Sequence, residues 1–148
     1  MPAGLLRSGD LTPKRRPLHA ADRDRVILVD TSVWIDHLRN SERQLVTLLG
    51  RDEVACHPFV VEELALGSIK ERSAFLDSLA QLRSVPLASH AEVRTLVESN
   101  RLWGRGLSAI HVQLLASVLI EGVALLWSRD KRLLAAAGDV GVAVVDWR

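Results

Sequence analysis

The chain has 148 residues, 48% apolar and 25% charged, which is enough for one domain with its own core. No apolar run approaches the roughly 18 residues of a membrane span, and the single cysteine, Cys56, excludes an intramolecular disulfide and a Cys-rich zinc site while fitting a reducing cytoplasm. The net charge of +1 is unevenly spread: residues 1–25 carry six basic and three acidic side chains and residues 26–148 thirteen and fifteen, so the folded part is no general polyanion binder and nucleic-acid contacts must come from local basic patches.

Residues 1–25 contain Pro2, Pro13 and Pro17 and the run Lys14-Arg15-Arg16, without sustained periodicity. They read as a disordered or loosely attached basic arm. A compact domain, residues 26–148, begins at Val26, and since bacterial initiation can use a valine codon, a further expectation is that the arm is a start-site artefact. From Val26 the pattern alternates. Val26–Val29 is a four-residue apolar run, the signature of a strand buried on both faces. Helices are predicted from about Val33 to Arg39 and from Glu42 to Gly50, then a short strand over Val54-Ala55-Cys56. Pro58 suits the first turn of a helix that runs to Leu66 and stops at Gly67. A helix is predicted over Ile69–Leu82, with a break at Val85-Pro86-Leu87. Ser89 caps a helix from His90 to about Glu98, and Ser108 caps one that ends near Gly122. Ile110, Leu114, Leu115, Val118 and Leu119 recur there at helical spacing. Val123–Trp127 is a buried strand, Lys131–Ala137 a short helix ending at Gly138, and Val142–Val145 a last strand. Apolar strands alternating with helices imply a parallel, doubly wound α/β sandwich.

Three acids stand where such a fold places chemistry. Asp30 follows the first strand directly, at the carboxyl end where open α/β sheets bind ligands; the structural alternative is a helix cap. On a helical wheel Glu63 falls near the middle of the face formed by Phe59, Val60, Leu64 and Leu66, whereas Glu62 falls off its edge. An inward carboxylate needs a cation or donors. Asp130 lies just beyond the strand ending at Trp127, with a helix cap as its alternative reading. His111 lies in the first turns of its helix, one turn before Leu115, as a core histidine, an imidazolium partner of the acids or a metal ligand. Three converging carboxylates repel unless neutralised. A hard divalent cation does this, and oxygen ligands suit Mg2+ or Mn2+. Phosphodiester hydrolysis is the natural chemistry of such a centre. Arg101 and Arg105, in the loop before the His111 helix, and Arg129, Lys131 and Arg132, around Asp130, are candidates to hold the phosphate chain of such a substrate.

These residues carry a resemblance. Ile27-Leu28-Val29-Asp30-Thr31-Ser32-Val33-Trp34-Ile35-Asp36-His37-Leu38-Arg39, His57-Pro58-Phe59-Val60 with Glu63-Leu64-Ala65-Leu66-Gly67, Leu102-Trp103-Gly104-Arg105-Gly106-Leu107, Leu114-Leu115-Ala116-Ser117 and Leu126-Trp127-Ser128-Arg129-Asp130-Lys131-Arg132-Leu133 follow one another as in the PIN-domain ribonucleases. More closely, the chain resembles the VapC toxins of bacterial toxin–antitoxin pairs. The resemblance implies a PIN-like three-layer sandwich, with a central, mostly parallel sheet and helices on both faces. It implies a metal-dependent endoribonuclease that inhibits translation in the cytoplasm, a homodimer, and neutralisation by a VapB-type antitoxin. It maps the family's first, second and fourth acids onto Asp30, Glu63 and Asp130, with Thr31 and Ser32 in support, and places His111 where the third acid usually stands. Near relatives often carry His where this chain has Gln113. One alternative is a catalytically weakened relative that only binds an antitoxin or RNA, with charged His111 replacing the ion. Another is a receiver-like signalling domain, which lacks support because no acidic pair precedes Asp30.

Overall fold

A computed structural model describes residues 26–147; the expected arm, residues 1–25, lies outside the described residues. Four strands form one parallel sheet: β1 (Val26–Val29), β2 (Val54–Cys56), β3 (Arg83–Ser84) and β4 (Ala124–Trp127), in the order β3-β2-β1-β4. Seven helices are described: α1 (Thr31–Arg39), α2 (Arg43–Gly50), α3 (Pro58–Ala65), α4 (Arg72–Ala80), α5 (His90–Asn100), α6 (Ala109–Glu121) and α7 (Lys131–Val140). All four β1 residues are buried, at 6% exposure or less. Successive strand residues point to opposite faces, so helices cover both sides of the sheet, and the expected α/β sandwich is the fold. No helix among the described residues is long and apolar enough to cross a membrane.

The strand order creates the site. The chain builds β1, β2 and β3 outward in one direction, then crosses back so that β4 lies on the other side of β1. The carboxyl ends of β1 and β4 thus flank the point where the order reverses, where such sheets bind ligands. Register is fixed by Val29 opposite Trp127 and by the Asp30 amide, which donates to the Trp127 carbonyl at 2.9 Å. Leu28, Leu126, Leu114, Leu115 and Leu133 are fully buried around this junction.

Several boundaries differ from the sequence reading. α1 starts at Thr31, immediately after Asp30, and α4 starts at Arg72 rather than Ile69. β3 was not expected: it has two residues, and its pairing with Ala55 and Cys56 defines it. Val142–Val145 is not a full strand, since only Val144 bridges to Leu126. α7 runs through Gly138 and ends at Gly141, which takes the left-handed conformation at φ 82°. The wheel drawn for α3 also needs correcting. Its helix ends at Ala65, Leu66 is 90% exposed, and its buried residues are Val60 and Leu64. Leu119, expected on the inner face of α6, is 41% exposed.

Candidate active site

Asp30 stands in the N-cap position of α1, but its side chain makes no cap hydrogen bond. Instead its Oδ2 accepts from Ser128 Oγ at 2.7 Å and Ser32 Oγ at 2.8 Å. Asp30 is 2% exposed, and no Lys, Arg or His among the described residues lies within ion-pair distance. A buried carboxylate with hydroxyl donors on one oxygen and no counter-charge is an unusual and costly arrangement. Ser128 does more than hold Asp30. It is itself buried, and its Oγ accepts from the Asp130 amide at 3.0 Å, so one hydroxyl couples two acid-bearing segments. Ser32 Oγ also accepts from the Arg129 amide at 3.1 Å. Sequence reasoning named Thr31 and Ser32 but missed Ser128. The signal was present: a small hydroxyl residue directly after an apolar strand and two before an acid.

Glu63 is exposed on α3, not inward as the wheel suggested, yet it reaches the β1 end. Thr31 Oγ1 donates to its Oε1 at 2.6 Å. α3 is positioned for this by His57, whose Nδ1 accepts from the Phe59 amide at 2.9 Å as N-cap. Burial pushes the His57 imidazole down to about 4, with the Gln113 amide partly opposing it. His57 Nε2 and Gln113 Oε1 are both buried without a hydrogen bond in good geometry. The Gln113 amide nitrogen donates to the Ala88 carbonyl at 3.3 Å.

Asp130 is a true helix cap. Its Oδ1 accepts from the Arg132 and Leu133 amides at 2.9 and 3.0 Å, at the positive end of α7. Its Oδ2 faces His111 Nε2 at 3.9 Å, beyond hydrogen-bond length. His111 closes a capping box with Ser108: its amide donates to Ser108 Oγ at 3.1 Å, and its Nδ1 accepts from the Ser108 amide at 3.4 Å. A backbone amide only donates, so Nδ1 carries the lone pair and the neutral ring carries its proton on Nε2. That nitrogen thus presents N–H to Asp130. Metal ligation at Nε2 requires surrendering the Ser108 bond.

The basic candidates divide. Arg129 is held by Asp36 at 2.6 Å and by Glu42, and Arg105 by Asp139 at 2.8 Å. Arg101, Lys131 and Arg132 are exposed, and the Arg132 side chain lies against Gly106.

The donor chemistry fits a hard divalent ion. Asp30 and Glu63 are each held through one oxygen and keep the other clear of hydrogen bonds among the described residues, and Asp130 keeps Oδ2 off its cap. Among the described residues, no three His, Cys, Asp or Glu side chains stand together in a position to hold one ion. A small cation that keeps several waters needs only one or two carboxylates directly.

Comparison with known proteins agrees with this fold. The PIN domain pattern matches residues 27–139, which include Asp30, Glu63, His111 and Asp130. The chain is similar to a protein named Ribonuclease VapC32 in two strains of Mycobacterium tuberculosis. Identity is 58% over 121 residues, covering 82% of this chain and 98% of each relative. With the sheet order, the acids at its switch point and this match in hand, the chain belongs to the PIN-domain family.

Proposed function

We propose that this protein is the toxin of a toxin–antitoxin pair, a metal-dependent endoribonuclease that hydrolyses RNA phosphodiester bonds and so inhibits translation. Asp30 carries the reading: a carboxylate 2% exposed at the topological switch point, with no cationic partner among the described residues. Such a group is stabilised by an arriving cation. One or two of Asp30, Glu63 and Asp130 would ligate Mg2+ or Mn2+ directly, and the rest would reach it through the waters the ion keeps. When bound, the ion offsets charge building on a phosphoryl oxygen and makes water a better nucleophile. Ser128 and Ser32 fix the Asp30 carboxylate, Thr31 steers Glu63, and the α7 amides fix Asp130. His111 is left out of the ligand set, as the N–H that leans on Asp130. Arg101, Lys131 and Arg132 are the cations for the RNA chain. Arg105 and Arg129, engaged by acids, shape the loops instead.

The partner is a VapB-type antitoxin, and the working form a cytoplasmic homodimer. A groove of about 520 Å³, lined by Ile35, Leu38, Leu64 and Ile69 together with Glu63, supports a peptide docking beside the acids. A second reading, a relative that binds antitoxin or RNA with weakened catalysis, is favoured by the absence of a three-ligand cluster among the described residues and by His111 beside Asp130. One experiment separates them: cleavage of structured RNA by wild type, Asp30→Ala and His111→Asp, each with Mg2+ and with Mn2+. The expected result is cleavage by wild type, its loss in Asp30→Ala, and more Mg2+-supported cleavage in His111→Asp. Wild-type inactivity with both ions, or an active Asp30→Ala, overturns the nuclease reading.

A further inference from the structure

Trp103 is 58% exposed in the loop between α5 and α6, while its neighbours are fastened. On one side Leu102 is 3% exposed, and its amide donates to the Val97 carbonyl at 3.0 Å. On the other side Arg105 is paired with Asp139 at 2.8 Å. The Arg132 side chain lies against Gly106, so close that a Cβ there would sit 2.7 Å from Arg132 Nη1. The loop is thus seated along α7, by Gly106 against Arg132 near the Asp130 cap and by Arg105 on Asp139 near the other end, and an indole is held out of it on a built support. Among the described residues the Trp103 ring stacks on no other aromatic side chain, whereas Trp34 and Trp127 do. Exposing an indole in this way forfeits the burial that normally places tryptophan inside. The loop itself is cationic: Arg101 is exposed in it, and the exposed Arg132 side chain lies against Gly106.

We propose that Trp103 is a stacking platform for one unpaired RNA base, set beside the acidic centre by the loop and flanked by cations that track the phosphates. Every base has a π-face, so stacking on an indole gives affinity with little sequence preference, and arginines nearby supply the salt-dependent part. Charge selects RNA over an apolar protein surface as the occupant, because the loop that carries the indole holds exposed Arg101 two residues before it and meets exposed Arg132 at Gly106 three residues after it. The proposal rests on the ribonuclease reading above and assigns a role to a residue outside the acid centre.

The test is fluorescence anisotropy of a fluorescein-labelled, mixed-sequence single-stranded RNA, with divalent ions chelated so that nothing is cleaved. It compares wild type with Trp103→Ala, Trp103→Leu and Trp103→Phe. The Ala and Leu variants are expected to raise Kd about tenfold, and Phe to stay within about threefold of wild type. A single abasic nucleotide walked along the RNA closes the gap between wild type and Trp103→Ala at one position. If wild type binds and Trp103→Ala binds equally well, the platform falls and the nuclease reading stands. If Leu binds like wild type, or sedimentation shows that Trp103→Ala splits a dimer, the indole is an apolar protein contact and the platform again falls. If wild type binds no RNA and cleaves none with added Mn2+, both readings fall together.

Discussion

Acidification acts on the helix that carries Glu63 through His57. This side chain is fully buried, and its Nδ1 is the acceptor that caps α3. Protonation has two costs: it places a charge where burial disfavours it, and it turns the capping acceptor into a donor facing the Phe59 amide. In the fold the imidazole is pushed down to about 4, against 6.5 for the ordinary group. Between those values the unfolded chain binds more proton than the folded one. Stability is therefore fully present above about pH 6.5 and is lost as pH falls toward 4. At about 1.4 kcal/mol per pH unit, this removes on the order of 3 kcal/mol by the bottom of that window. His57→Asn keeps a capping acceptor and removes the titration, at a cost of about 1–2 kcal/mol near neutrality for the space it leaves. The assay is urea unfolding of both proteins from pH 7.5 to 4.5. The wild-type advantage should shrink or reverse, by roughly 2–3 kcal/mol, as pH falls. His37, also lowered by burial, titrates in both proteins and cancels. Parallel pH profiles would refute the argument, because they mean that His57 is not the group that must stay neutral.

Three further outcomes are expected. Ser128→Ala removes a 2.7 Å donor from a buried carboxylate and should lower unfolding stability by about 2 kcal/mol; in combination with Asp30→Asn the two effects should be clearly non-additive by denaturant titration. Gly106→Ala and Gly104→Ala should each cost about 1–2 kcal/mol by thermal unfolding, because φ is positive at both, while the exposed Arg132 side chain can swing clear of the Cβ added at Gly106; an unchanged melting temperature in either would contradict it. Arg129→Ala should cost at most about 1 kcal/mol, shrinking in high salt, and should leave the salt dependence of RNA binding unchanged, since its guanidinium is already held by Asp36 and Glu42.

Much of this architecture was legible because it depends on local chemistry. The apolar runs of β1, β2 and β4 can only be strands covered on both faces, and Ser89 and Ser108 cap their helices as their positions demand. β3 was illegible because Arg83 and Ser84 carry no pattern of their own; their partners Ala55 and Cys56 make them a strand. Val142–Val145 failed the opposite way: its apolar content suits a strand, but only Val144 bridges the sheet. In α7 two glycines compete to end the helix, and the sequence does not say which will turn left-handed; Gly141 does and Gly138 does not. Glu63 was placed inward by a wheel that does not hold. A wheel assumes that the apolar face continues, but α3 stops at Ala65 and Leu66 leaves the core, so Glu63 arrives by way of Thr31.

Asp30 and Asp130 show why position alone could not separate an acid that caps its own helix from one that does not. Both stand in front of a helix at a strand's end, in the same N-cap position. Asp130 turns Oδ1 onto two amides of its own helix and is stabilised by them. Asp30 Oδ2 instead accepts from two hydroxyls, that of Ser32 within the helix and that of Ser128, 98 residues distant in sequence. These hydroxyls take the place of the locally favourable cap. The consequence is a buried carboxylate with hydroxyl donors but no cationic partner among the described residues. The three acids then differ in stiffness. Asp30 and Asp130 are fixed by two donors each, whereas Glu63 has one hydroxyl tether on an exposed helix face. Two rigid carboxylates and one adaptable one suit a site that must accept an incoming ion and substrate without reorganising the sheet that carries it.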